Sequence, residues 1–121
     1  MTASAQRTHD LLVAARAKIE DPAGWTKGVM ARSSLGDSVM PNSPKASCFC
    51  TVGALHAAGM DPNARDFTHD PAVTLLADLI PGKPRPFPVE ALTTFNDEPL
   101  TTHVDVLNLF DRAIAVAKGR L

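Results

Sequence analysis

Two cysteines separated by a single residue are the side chains in this sequence best able to do covalent chemistry. Cys48 and Cys50 would close only a very small, strained disulfide loop, so we expect two free thiols. We also expect a helix to begin near Cys50, and the partial positive charge of a helix N-terminus lowers the pKa of a thiol placed there. Cys50 is therefore the candidate nucleophile.

A thiol enzyme also needs a base and a group that orients the base. His56 or His103 could be the base, and Asn96 or Asp97 could orient it, so the catalytic candidates are Cys50, His103 and Asp97. Cys50 and His56 are six positions apart, however, and do not share one helical face. Free cysteines are among the residues most often buried, so we favour packing of Cys50 in the core over catalysis.

Trp25, Asn96 and Asp97 form a second candidate site, for a small ligand or a cation. Trp25 is the only tryptophan, and an indole can serve as a binding platform. Large aromatic side chains are more often mostly buried, which favours Trp25 closing one end of the core with its N–H on a backbone carbonyl. Asn and Asp commonly bond to nearby backbone amides, which favours a turn at residues 96–99.

Metal and cofactor sites are not predicted. Structural zinc usually takes two closely spaced ligand pairs, and Cys48 and Cys50 form only one such pair. The stretch Asn96–Glu98 lacks the alternating oxygen ligands and the glycine of a calcium loop. The sequence contains neither of the glycine-rich phosphate-binding motifs G-x-x-x-x-G-K-S/T and G-x-G-x-x-G. We therefore expect no bound metal and no cofactor.

Composition and charge argue against several classes of partner. The 121 residues include 12 Lys and Arg against 13 Asp and Glu, and the basic residues are scattered, with Lys83 and Arg85 the nearest to a cluster. Neither feature is typical of a nucleic-acid-binding protein. The sequence has no long apolar run and no signal-peptide pattern, so we expect no membrane partner and a cytoplasmic location. The length predicts a single domain over residues 1–121.

Apolar spacing predicts a mainly α fold of four to five helices. Apolar residues recur at helical intervals in five segments, residues 5–20, 46–58, 71–80, 89–95 and 102–118. The segment 46–58 places small side chains on one face, so we expect it to be the central helix, with the first and last helices packed on that face. Asp70 before Pro71 predicts an N-cap, and Thr102 with Asp105 predicts a capping box.

The predicted helices leave two segments between them. Residues 24–44 are rich in Gly, Pro and Ser, and two short apolar runs flank Gly36, which predicts a short β-hairpin near residues 27–40. Residues 81–88 are proline-rich and are predicted to form a stiff, extended connection.

Several landmarks follow one another in a recognisable order. They are Gly24-Trp25-x-x-Gly28, Cys50-x-x-Gly53-Ala54, Phe95-Asn96-Asp97, Thr102 and Leu107-x-x-Phe110-x-x-Ala113-Ile114. This order resembles a family of small uncharacterised proteins of bacteria and their phages, a domain of unknown function. The resemblance covers nearly the whole chain and implies one compact domain, but it brings no activity, cofactor or catalytic residue.

Because no strong catalytic or ligand signature occurs, we favour a small non-enzymatic accessory or protein-interaction module with an unknown protein partner. One alternative is a thiol-dependent enzyme or redox protein that uses Cys50. Another is a small-ligand or cation-binding protein that uses Trp25, Asn96 and Asp97.

Overall fold

The computed structural model describes residues 3–60, 67–82 and 87–121. Within these ranges the protein is mainly α-helical, with five helices and one small antiparallel sheet, as predicted. In chain order the elements are α1 (Ala3–Lys18), β1 (Ala31–Ser33), β2 (Ala46–Phe49), α2 (Thr51–Ala57), α3 (Pro71–Asp78), α4 (Pro88–Asp97) and α5 (His103–Gly119). Short 3-10 turns lie at Pro22–Gly24 and Phe67–His69. None of the helices in these ranges is long and apolar enough to cross a membrane.

The short helix α2 lies in the interior, because its residues from Thr51 to His56 are all buried. It packs against α1, as predicted, and against α4. The expectation that the last helix packs on α2 is wrong, because α5 lies mainly along α1, with a smaller contact to α3. The core therefore has α2 inside and the α1–α5 pair along one flank.

The segment predicted as one helix over residues 46–58 divides into β2 and α2. Residues 46–49 pair with β1, where Ala31 faces Phe49 and Arg32 faces Cys48. The helix begins only after Cys50, whose backbone is extended and whose Sγ accepts a hydrogen bond from the Gly53 amide at 3.3 Å. Cys50 is thus the N-cap, and the pairing with β1 holds the preceding residues in a strand.

The predicted hairpin turn near Gly36 is present, but the main partner of β1 is another segment. Ser33 closes the turn, donating from its amide to the Asp37 carbonyl at 2.8 Å and accepting from the Gly36 amide at 2.9 Å. The returning arm makes only an isolated bridge between Arg32 and Ser38. β1 therefore lies between this short arm and β2, which is its regular strand partner.

Helix caps follow the sequence closely at α3 and α5. Asp70 accepts a hydrogen bond from the Ala72 amide at 2.9 Å and caps α3. The side chain of Thr102 accepts from the Asp105 amide at 3.2 Å, and the Asp105 carboxylate accepts from the Thr102 amide at 2.9 Å. This reciprocal pair is the predicted capping box at the start of α5.

The turn predicted at residues 96–99 is wrong at its first two positions, because Asn96 and Asp97 are the last residues of α4. The proline-rich connection lies partly outside the described residues, since Lys83 and Arg85 fall in the gap between residues 82 and 87.

Candidate functional site

The side chain of Asn96 is the centre of a buried hydrogen-bond network. It is fully buried at the C-terminal end of α4. Its Oδ1 accepts from Trp25 Nε1 at 2.8 Å, from the Thr51 amide at 3.0 Å and from Thr51 Oγ1 at 2.8 Å. One oxygen therefore joins the segment before β1, the start of α2 and the end of α4.

The amide nitrogen of Asn96 is occupied as well. Nδ2 donates to the Thr26 carbonyl and to Asp97 Oδ1, each at 3.0 Å. Because three donors face the oxygen and two acceptors face the nitrogen, only one orientation of the amide group satisfies the network. The Gly28 amide donates to the same Asp97 oxygen. We call the whole set the Asn96 network: Trp25, Thr26, Gly28, Thr51, Asn96 and Asp97.

Asp97 connects this network to the protein surface. Its side chain is exposed, and Oδ1 also accepts from the Gly28 amide at 2.9 Å. Gly28 has a φ of 86°, a left-handed conformation that glycine adopts readily and other residues rarely do. The neighbouring Lys27 donates from Nζ to the Glu98 carbonyl at 2.6 Å. Residues 25–28 are thus fixed to the end of α4 through side chains and backbone.

The indole ring of Trp25 is packed rather than presented to solvent. It is partly buried, with the His103 ring tilted against it at a centroid distance of 5.9 Å and Lys27 Nζ 5.4 Å from its centroid. The expectation that Trp25 packs at the edge of the core is consistent with this, but its N–H bonds to a side chain and not to a backbone carbonyl. His103 in turn contacts the Ile19 carbonyl through Nε2 at 2.6 Å.

The environment of the Cys50 thiol raises its pKa, whereas a helix N-terminus is expected to lower it. Burial raises the pKa of the Cys50 thiol above its ordinary value, and the charge of Asp97 raises it further. The amides of Gly53 and Val52 at the helix start act to lower this pKa, as expected for a helix N-terminus, but their effect is smaller than that of desolvation. The neutral thiol is therefore the form that the fold stabilises.

Gly53 explains why the start of α2 fits so closely against the chain before β1. The Cys50 amide donates to the Met30 carbonyl at 3.0 Å. A Cβ on Gly53 would lie only 1.9 Å from the same oxygen. Only glycine therefore permits the start of α2 to lie this close to the Met30 backbone. The Cys50-x-x-Gly53 spacing reflects this packing contact.

The structure places some of the predicted site residues in one network and gives others a different role. Trp25, Asn96 and Asp97 share one network, and Asp97 is close enough to Cys50 for its charge to act on the thiol. The sequence interpretation missed Thr26 and Thr51, which supply essential partners to Asn96. A polar threonine directly after Cys50, within a run of small and apolar residues, was the available signal for Thr51.

A shallow cavity of about 370 Å³ adjoins the network and is lined by Thr93, Thr94, Asp97, Glu98 and Pro99. Among the residues that the structure describes, no three His, Cys, Asp or Glu side chains are grouped so that they could hold a metal ion.

Comparison with known proteins identifies a family. The model of a family of unknown function, DUF6197, matches residues 3–116. No curated protein matches the chain, and no solved structure does. The match confirms the resemblance to a family of unknown function, while the bacterial or phage source and the order of landmarks as a family motif stay predictions.

Proposed function

The chain belongs to the DUF6197 family, whose function is unknown, and from its own structure we propose that it is a protein-interaction module that acts by binding rather than by catalysis. The observation that carries this proposal is a group of exposed apolar side chains on residues 30–40, which we call the 30–40 loop. Leu35 is 87% exposed, Met40 59% and Met30 39%.

Exposed apolar side chains in such proximity along the chain favour a binding surface. Single exposed apolar residues are common on protein surfaces, but contiguous groups mark interaction sites. Leu35 sits at the turn closed by Ser33 and Asp37, where its side chain has little cover. Methionine side chains are flexible and polarisable, which suits Met30 and Met40 to contact with another protein.

The 30–40 loop is held firmly despite its exposure. Arg32 donates to the Gly36 carbonyl at 3.2 Å, to the Lys27 carbonyl at 3.1 Å and to Thr26 Oγ1 at 3.0 Å. Thr26 in turn belongs to the Asn96 network. A surface that is already ordered loses less conformational entropy on binding, so this support favours a recognition role for the loop.

The environments of the buried side chains Asn96 and Cys50 support the same proposal. Asn96 uses both ends of its amide within the network, and the Cys50 thiol is buried with a raised pKa. Asn96 and Asp97 therefore hold residues 26 and 28 before the 30–40 loop, and the Cys50 thiol caps α2.

Site-specific photo-crosslinking tests this proposal. A photoreactive leucine analogue at position 35 should give a discrete protein adduct in cells that make the protein, because Leu35 would lie in the interface. The same group at Lys118, an exposed position in the last turn of α5, should give none. The proposal is wrong if position 35 gives no adduct, or if the purified protein turns over ester, amide or phosphate substrates.

A further inference from the structure

A second exposed apolar group lies on residues 97–105, which we call the 97–105 segment. Leu100 is 91% exposed and Val104 is 59% exposed. The segment also carries three acidic residues, Asp97, Glu98 and Asp105, and neither lysine nor arginine. It is therefore an apolar surface with negative charge around it.

The residues around the 30–40 loop carry the opposite charge. Residues 26–49, which include the loop and both strands, carry Lys27, Arg32 and Lys45 but only one acidic residue, Asp37. Lys45 is exposed and directly precedes Ala46, the first residue of β2, which pairs with Ser33 at the end of β1. The loop is thus an apolar surface with positive charge around it.

Two of the basic side chains in and beside the loop, Arg32 and Lys27, have neutral hydrogen-bond partners within the chain. Arg32 donates to two backbone carbonyls and to a threonine hydroxyl, and Lys27 donates to the Glu98 carbonyl. The ion pairs found among the described residues use Arg7, His9 and Arg16 as their cations. Among the described residues, neither Arg32 nor Lys27 forms an ion pair that would neutralise its charge.

The two surfaces adjoin on one molecule. Lys27 contacts the Glu98 carbonyl, and the Gly28 amide contacts Asp97, so the segment leading into the 30–40 loop touches the start of the 97–105 segment. Two adjacent surfaces of opposite charge on one molecule complement the same two surfaces on a second copy. A two-fold axis between two copies would place each loop against the 97–105 segment of the other copy.

From this complementarity we infer that the protein bound by the 30–40 loop is a second copy of this chain, in a two-fold symmetric dimer. Leu35 and Met40 of one copy pack against Leu100 and Val104 of the other, and the basic side chains meet the acidic ones. This inference rests on the proposed function and names the partner of the same surface. Five of the eight exposed large apolar side chains among the described residues lie in these two surfaces.

Sedimentation velocity of the full chain, from about 1 µM to about 0.5 mM, tests the inference. We expect a concentration-dependent dimer that weakens in about 1 M NaCl, because salt screens exposed charges. Leu35→Ser should weaken the dimer at least about tenfold without lowering the melting temperature. Leu121→Ser, which removes an exposed apolar side chain outside both surfaces, should leave the dimer unchanged.

Charge reversal gives the sharper test. Lys45→Glu makes the surroundings of the loop less basic and Glu98→Lys makes the 97–105 segment less acidic, so each variant alone should be largely monomeric. An equimolar mixture of the two should dimerise again, because a reversed loop then meets a reversed segment at one contact and the native surfaces meet at the other. Folding damage could not produce this mutual rescue.

A protein that stays monomeric up to about 0.5 mM overturns the inference, as does a dimer that ignores the Leu35 and charge-reversal variants. The proposed function fails separately. If the chain is monomeric but position 35 crosslinks to a different protein, the interaction module stands and the identity of its partner changes.

Discussion

The indole Nε1 of Trp25 donates a 2.8 Å hydrogen bond to Oδ1 of Asn96, which lies 71 residues further along the chain. Thr51 donates to the same oxygen from both its amide and its hydroxyl. Landmarks in three separate parts of the sequence therefore meet at one atom. Their order along the chain reflects a shared structural contact, which needs no catalytic explanation.

The amide of Asn96 should be nearly irreplaceable for stability. In Asn96→Asp, an oxygen would replace Nδ2 and face the Thr26 carbonyl and Asp97 Oδ1. We expect a loss of about 3 to 5 kcal/mol in unfolding free energy at pH 7, because the new charge is buried and faces two oxygens that cannot donate to it. Urea denaturation followed by circular dichroism measures this loss.

An exposed asparagine provides the control for this substitution. Asn42→Asp should change the unfolding free energy by less than about 0.5 kcal/mol, because Asn42 is exposed in a loop. The Asn96→Asp deficit should also shrink near about pH 4, where a protonated acid can donate to the Thr26 carbonyl. An Asn96→Asp protein as stable as the wild type at pH 7 would contradict the network.

Gly53→Ala should be destabilising although alanine is the better helix former. The new Cβ would lie 1.9 Å from the Met30 carbonyl oxygen, which also accepts from the Cys50 amide. We expect a loss of about 3 kcal/mol, because two backbone segments must move apart. Thermal unfolding measures the effect, and Gly119→Ala is the matched control.

A Cβ added to Gly119 would extend into open space, with no packed neighbour within 4 Å among the described residues. Alanine there should therefore be neutral or stabilising by up to about 1 kcal/mol. Similar effects of the two substitutions would show that helix propensity, and not the contact with Met30, determines the outcome.

Periodicity in the sequence was sufficient to predict the helices that carry an apolar stripe along one face. The stripe of α5 and the caps of α3 and α5 are local features, and the structure confirms them. The strand at residues 46–49 was not predictable in this way, because its conformation depends on pairing with residues 31–33. Small side chains at helical spacing fit a helix and a short strand before a cap equally well.

The sequence was sufficient to predict which residues lie together in the candidate site, but not what those residues do. Trp25, Asn96 and Asp97 were singled out together, and they do lie together. Their spacing could not reveal that α4 continues through Asn96 and Asp97, since that depends on the donors Trp25 and Thr51 from elsewhere in the chain. The burial that raises the pKa of Cys50 is likewise a property of the packed structure and not of the helix terminus.

The capping box at the start of α5 should contribute measurably. Thr102→Ala removes the acceptor for the Asp105 amide, and we expect a loss of about 1 kcal/mol. Thr102→Ser retains the hydroxyl and should restore most of the stability. Melting temperatures of the three proteins test this, and equal losses in Ala and Ser would assign the effect to the threonine methyl group.

The two thiols should differ sharply in their reactivity toward iodoacetamide. Burial raises the pKa of Cys50, so at pH 8 the native protein holds less Cys50 thiolate than the unfolded chain does, and alkylation should be slow. Cys48 is only partly buried and should react faster. Rates measured on Cys48→Ser and Cys50→Ser, each with one remaining thiol, separate the two sites, and denaturation should make them equal. Rapid native alkylation of Cys50, with an apparent pKa below about 8.5, would instead support the thiol-enzyme alternative.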